Sequence, residues 1–300
     1  MAHASSPPPA LNWTIVGQGA IGLLSACRLK LANIPVSLWL REPAPLSITY
    51  AGRRLTFSPA IAPLHAVLVP VKSYAVVDAV TTLSPYLAPN AQLVISHNGM
   101  GTIEQIQPLL QPEQGLWFLI TTHGALKQPN GVQHTGQGNS VLAALNPAAL
   151  KQQDAVIQAM DIALGPVQRV DDITPFLWQK LAINAVINPL TAIHNCKNGA
   201  LAAVEFTAQI NTVLQEVCQL AAACGVALDF ATMQQRVQQV IHNTAENFSS
   251  MQQDISHQRS SEIDAITGYI VQHATSKGIA VPANKQLLHQ VQQLQIGYGR

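Results

Sequence analysis

Charge is scarce in this chain. Only 10% of its 300 residues are Asp, Glu, Lys or Arg, and the formal net charge is +1. A surface so weakly and evenly charged carries no electrostatic footprint for nucleic acid or for an acidic membrane. Cysteine is also sparse, at Cys27, Cys196, Cys218 and Cys224, with no CxxC pair and no histidines gathered around it. That excludes a disulfide framework and a cysteine metal site, and reads as reduced thiols in the cytoplasm. No apolar run reaches transmembrane length. Residues 1–11 contain Pro7-Pro8-Pro9 and lack the apolar core of a signal peptide, so a flexible tail is expected there. No internal repeat is found.

Hydrophobic residues are plentiful, at 48%. Disorder of the whole chain is thereby excluded. Runs such as Met233-Gln234-Gln235 and Gln290-Val291-Gln292-Gln293 predict helix surfaces solvated by amides rather than ions.

Short apolar runs predict buried strands at Trp13–Val16, Val36–Leu40, Ala66–Val71, Leu93–Ser96 and Trp117–Thr121. Pro70 is awkward inside the third. Segments of helical length lie between them, which predicts an α/β domain with a mostly parallel sheet over residues 12–172. After Pro175 the text turns helical. Helices are expected at Phe176–Val186, Ala203–Cys224, Ala231–Asn243, Ile255–Lys277 and Lys285–Leu294, with Gly225 and Gly278 as stops. Residues 173–300 are therefore expected to form an all-helical substrate domain.

Gly17-Gln18-Gly19-Ala20-Ile21-Gly22 is a GxGxxG at the end of the first strand and the start of a helix. That is the context a dinucleotide-binding turn needs. Gly17 permits the tight turn, Gly19 lets a pyrophosphate approach the backbone, and Gly22 lets helix and strand pack closely. The helix N-terminus offers unpaired N–H groups to the phosphates. The second strand ends on Arg41, 24 positions after Gly17, where an NAD binder usually has a carboxylate. Arginine there fits the 2′-phosphate of NADP, while the adjacent Glu42 leaves NAD open. Lys72 and Asn98-Gly99-Met100-Gly101 follow two further strand ends, where ligands of open parallel sheets lie. His97 and His123 read as residues that orient strand-end loops.

Lys180, Asn184 and Asn188 are spaced by four among apolar neighbours and share one helix face. Pro189 predicts that the helix ends or bends at Asn188. A lysine and two amides on an apolar helix suit a carbonyl-and-hydroxyl ligand, although composition alone leaves a solvated face equally open. Asp254 and Arg259 read as a helix-face ion pair.

With Asn198-Gly199, the run Glu246 to Asp254 and Ser261-Glu262-Ile263-Asp264 added, the chain from Trp13 to its last helix resembles the ketopantoate reductases. The resemblance implies a Rossmann-type domain followed by a helical domain like that of 6-phosphogluconate dehydrogenases. It implies NADPH-dependent reduction of 2-dehydropantoate to pantoate, a step towards pantothenate and coenzyme A, and a monomer or homodimer with a small 2-keto acid as its partner. By motif, Lys180 is the expected general acid. Asn184, Asn188, Asn198 and Ser250 are expected on substrate, and Asn98 on both substrate and cofactor. Glu262 is expected near the nicotinamide ribose, and Ala125 at the cofactor through its backbone. No metal is implied. Only 31 positions separate Arg41 from Lys72, short for the family's usual strands and helix there. A lysine with an ordinary pKa near ~10.4 needs no tuning to be protonated at neutral pH. The residues alone leave open a reductase of another 2-keto acid, or a non-catalytic NADP-binding sensor.

Overall fold

A computed structural model describes Leu11–Tyr298, so the expected tail, Leu11 apart, lies outside the described residues. The chain divides into two compact units. One holds the described residues up to His97 together with Thr102–Ile173, and the other holds Asn98–Gly101 together with the described residues from Thr174.

The first unit begins with β1 (Trp13–Val16), α1 (Ala20–Leu31) and β2 (Val36–Trp39). A hairpin of β3 (Leu46–Tyr50) and β4 (Arg53–Phe57) follows, then β5 (Leu64–Val69), α2 (Ser73–Leu83), β6 (Leu87–Ile95), α3 (Ile103–Ile106) and β7 (Gly115–Thr121). It closes with β8 (Gly124–Gln128), β9 (Gly131–Gly136), β10 (Ser140–Ala144), α4 (Pro147–Leu150), α5 (Gln153–Leu164) and β11 (Val167–Val170). Seven strands form one sheet in the order β11-β10-β7-β6-β5-β1-β2. Every pairing in it is parallel except β7 with β10. This is a Rossmann-like sheet with β6 at its centre and β1 between β5 and the edge strand β2. β1 is buried along its whole length because both edges and both faces are covered. Its core packs Ile15, Leu68, Val94 and Trp117 against Leu23, Leu24 and Cys27 of α1.

Pro70 falls just beyond β5, so the proline does not interrupt the ladder. The segment between Arg41 and Lys72 holds the β3–β4 hairpin and no helix, which accounts for its shortness. Its turn places Ala51 and Gly52 at φ of 48° and 73°. Two positive φ values match the right-handed twist of the strands, and Ala51 lacks the Asn or Gly that usually marks such a turn. β3 and β4 join β9 and β8 in a second sheet of four strands, β4-β3-β9-β8, which the sequence reading did not anticipate.

The second unit is helical: α6 (Thr174–Ile193), α7 (Val204–Ala223), α8 (Phe230–Asn243), α9 (Ser250–Ser256), a π-helical turn at Asp264–Gly268, α10 (Tyr269–Ser276) and α11 (Pro282–Leu294). Gly225 and Gly278 stop α7 and α10 as expected, each beside a pair of C-terminal backbone bonds. Two expectations are corrected. α6 does not end at Asn188; it runs through Pro189 to Ile193. A proline inside a helix costs ~3 kcal/mol. Val186, Ile187 and Leu190 are buried around it, and each such side chain contributes roughly 1.5–3 kcal/mol, so packing outweighs the break. The helix expected over Ile255–Lys277 is divided. Gln258 takes φ 53°, and Arg259 N–H closes on Asp254 O at 2.8 Å, which stops α9 without a glycine. Asp254 and Arg259 do pair, at 3.4 Å, but across that stop rather than along a helix face.

Buried Glu216 on α7 holds the start of α11. The N–H groups of Ala283 and Asn284 each donate to its carboxylate at 2.9 Å, and Asn284 Nδ2 donates at 2.8 Å. Glu216→Ala strands these donors. The expected loss is about 3 kcal/mol, read as a lower urea midpoint with an unchanged slope. A midpoint equal to wild type contradicts this account of the cap.

Candidate active site

β2, β1 and β5 are neighbours in the sheet, and their carboxyl ends bring three expected groups to one rim. Gly17 follows β1 at φ 79° and donates its N–H to Trp39 O of β2 at 2.8 Å. Gly19 is the N-cap of α1, which has no side-chain cap and no acidic residue in its first turn. A Cβ on Gly19 meets nothing nearer than Pro70 O at 3.8 Å, so the space over the loop is open. A Cβ on Gly22 lies 3.0 Å from Pro70 Cγ and 3.2 Å from Ile15 Cγ2, so helix and strand are as close as the motif requires. Ala20 and Ile21 open α1 and are half-buried. Uncapped N–H groups above an open glycine loop fit the pyrophosphate of a dinucleotide.

β2 ends at Trp39, so Arg41 stands two residues beyond it, exposed. Lys72 stands at the N-cap of α2, half-buried. Ala125 lies on β8 opposite His134 of β9. Lys127, on the same strand and the same face as Ala125, donates to Gln18 Oε1 at 3.1 Å. Sequence reasoning missed this lysine, although its period-2 spacing from Ala125 was visible. His97 Nε2 lies 2.7 Å from Thr102 Oγ1, and His123 bridges His134 Nε2 at 2.9 Å and Gly165 O at 3.2 Å. Burial first, then the charges of His134 and Arg28, lower the pKa of His123. Both histidines tie down loops.

In the second unit, Asn98 and Glu262 meet directly. Asn98 N–H donates to Glu262 Oε1 at 3.3 Å, and Asn98 Nδ2 donates to Oε2 at 2.9 Å. In both contacts a carboxylate oxygen accepts. Glu262 is buried and is the charge that acts on Lys180. Desolvation pulls the Lys180 pKa from 10.5 down to about 8, and Glu262 opposes that fall. The side chain keeps some surface but lies deep enough among protein atoms for desolvation to dominate. Lys180 therefore titrates far closer to neutrality than an ordinary lysine.

Asn184 and Asn188 follow Lys180 along α6, the first half-buried and the second buried. Asn198 opens a 3₁₀ turn and is buried. Thr244 Oγ1 donates to Val240 O at 2.6 Å, so it can only accept from Asn198 Nδ2 at 2.9 Å. That fixes the amide orientation. Asn198 Oδ1 is then a buried acceptor with no hydrogen-bond partner in the protein. Ser250 is exposed at the first turn of α9. The N-cap Ser249 lies 2.7 Å from Thr191 of α6, which ties the start of α9 to the Asn188 region. Among the described residues no cluster of three or more His, Cys, Asp or Glu side chains is placed to hold a metal ion.

Comparison with known proteins agrees with this layout. The family described as "Ketopantoate reductase PanE/ApbA" matches residues 13–147, and its C-terminal counterpart matches residues 172–295. A 2-dehydropantoate 2-reductase of Vibrio cholerae is 38% identical, across 97% of this chain and 100% of its own. The crystal structure of a PanE/ApbA family ketopantoate reductase from Ralstonia eutropha superposes with a TM-score of 0.82 at 25% identity, covering 95% of this chain and 98% of that one. D-mandelate dehydrogenase, solved with NADH and anilino(oxo)acetate, gives a TM-score of 0.85 at 18% identity over 95% of this chain and 99% of its own, a likeness of fold alone. With both halves matched and a relative of this identity along nearly its whole length, the chain belongs to the ketopantoate reductase family.

Proposed function

We propose that this chain reduces 2-dehydropantoate to pantoate with NADPH, with residues 12–172 holding the dinucleotide and 173–300 the keto acid. Its family membership supports the reaction, and one observation carries the chemistry: a desolvated Lys180 ammonium with the Glu262 carboxylate as its counter-charge. NADPH supplies the hydride when bound. Lys180 holds the proton at Nζ that the developing alkoxide takes up, and its charge stabilises that oxygen beforehand. Glu262, gripped by Asn98, keeps enough negative charge nearby for the ammonium to persist at neutral pH.

Asn98, Asn184, Asn188, Asn198 and Ser250 bind the keto acid. Asn198 Oδ1 accepts, so it calls for an O–H, and ketopantoate has one at its hydroxymethyl end. On the dinucleotide, the backbone of Gly17–Gly22 takes the pyrophosphate and Arg41 the 2′-phosphate. Lys72, Asn98, Ala125 and Glu262 complete the cofactor contacts. A monomer or a homodimer accommodates this scheme, since every residue named belongs to one chain. The four cysteines are free and no described helix is long and apolar enough to cross a membrane, which accords with work in the cytoplasm.

Arg41→Ala should raise KM for NADPH about tenfold or more and leave NADH nearly unchanged, as for one charge-assisted bond. Equal loss for both cofactors removes Arg41 from the 2′-phosphate.

Lys180→Ala should lower kcat by roughly 10²–10⁴-fold. The ammonium is present below its pKa, so wild-type reduction should fall as pH rises through about 8, and pantoate oxidation should rise over the same range. An alkaline limb that survives in Lys180→Ala assigns the proton to another group.

Asn198→Ala should raise KM for ketopantoate on the order of tenfold with NADPH affinity intact. The same keto acid without its hydroxyl should lose little. A wild-type enzyme that prefers the hydroxyl-free acid favours the rival reading, a reductase of another 2-keto acid.

A further inference from the structure

Lys127 bonds directly to the glycine loop, and the reading above gives it no part. It reaches that loop by fold rather than by sequence. β8 packs against α1, and alternation along the strand turns Lys127 to the same side as Ala125. Its ammonium rests 3.1 Å from Gln18 Oε1, the residue between the first two glycines of the fingerprint. Both side chains are exposed and the acceptor is neutral, so the bond is a weak tether that the lysine can leave. Below it, α1 presents uncapped N–H groups with no acidic side chain in the first turn. These backbone groups amount to about half a positive charge, against two negative charges on a pyrophosphate. In a chain where Lys and Arg number 16 of 300 residues, a lysine held at that loop supplies most of the missing charge.

We propose that Lys127 is a further cofactor-binding residue, which exchanges Gln18 for the pyrophosphate of the dinucleotide. The inference rests on the NADPH reading above. It separates two anion sites: Arg41 for the 2′-phosphate and Lys127 for the pyrophosphate.

The test is equilibrium titration, followed by nicotinamide fluorescence, on wild type, Lys127→Gln and Lys127→Arg. NADPH and NADH are titrated directly, and 2′-AMP, which lacks a pyrophosphate, is titrated as a competitor. Lys127→Gln should weaken NADPH and NADH alike by about tenfold, as for loss of one charge-assisted bond. It should leave 2′-AMP and the thermal midpoint unchanged, and Lys127→Arg should restore most of the affinity. The gap between wild type and Lys127→Gln should also shrink as ionic strength rises from about 0.01 M to about 1 M. NADPH affinity within about twofold of wild type overturns the proposal. So does a loss confined to NADPH and 2′-AMP, which assigns Lys127 to the 2′-phosphate. If wild type binds neither dinucleotide, the NADPH reading falls with it.

Discussion

The cost of keeping a lysine charged away from water organises the second unit. Desolvation alone drives Lys180 towards the neutral amine, and a carboxylate is the least expensive means of holding the proton. That carboxylate is itself buried, and its oxygens need donors. Asn98 meets the need with two donors, one from backbone and one from side chain. The loop that carries Asn98 is fastened in turn. Met100 N–H donates to Ala265 O at 3.0 Å, within the π-helical turn that follows Glu262. Gly99, at φ 83°, lets the two backbones approach, because a Cβ there would lie 2.4 Å from Ala265 O. The π turn, the glycine and the amide thus form one chain of supports that ends at the ammonium. Glu216 at α11 solves a similar problem, a buried carboxylate matched to a helix start, for stability rather than chemistry.

No described carboxylate of the first unit is buried. Its rim is made of backbone: a turn at Gly17, an open helix start at Gly19, and a contact at Gly22 that a Cβ would crowd. Cations enter from outside this frame, Arg41 beyond β2, Lys72 at the start of α2 and Lys127 from the second sheet.

Much of this was legible in the sequence. Buried parallel strands announce themselves as apolar runs, so β1 was read to the residue, β2, β5 and β7 within two residues of their bounds, and only the C-terminal part of β6. Strand-end logic set Gly17, Arg41, Lys72 and Asn98 just beyond strands, and they lie one to three residues past the ends of β1, β2, β5 and β6. The second sheet was not legible. β4 and β8 are short and mostly exposed, and the Ala51-Gly52 turn has only half of its usual signal. Pro189 misled because helix propensity is a local rule and the packing that overrides it comes from other helices. At the site, the spacing of Lys180, Asn184 and Asn188 was visible, but the pairing of Asn98 with Glu262 joins residues 164 apart and no period encodes it. The shifted pKa was equally hidden. An ordinary lysine suffices for a neutral-pH acid, and only the surroundings of Lys180 bring it to about 8.

Direct titration of Lys180 tests the central claim without reference to turnover. The protein is labelled with ε-¹³C-lysine and followed by NMR across alkaline pH, and the resonance is assigned by its loss in Lys180→Arg. The account predicts one lysine with a midpoint at about 8, and a still lower midpoint in Glu262→Gln, because the charge that opposes desolvation is gone. A Lys180 signal that stays protonated until the ordinary lysine value near ~10.4 would contradict it.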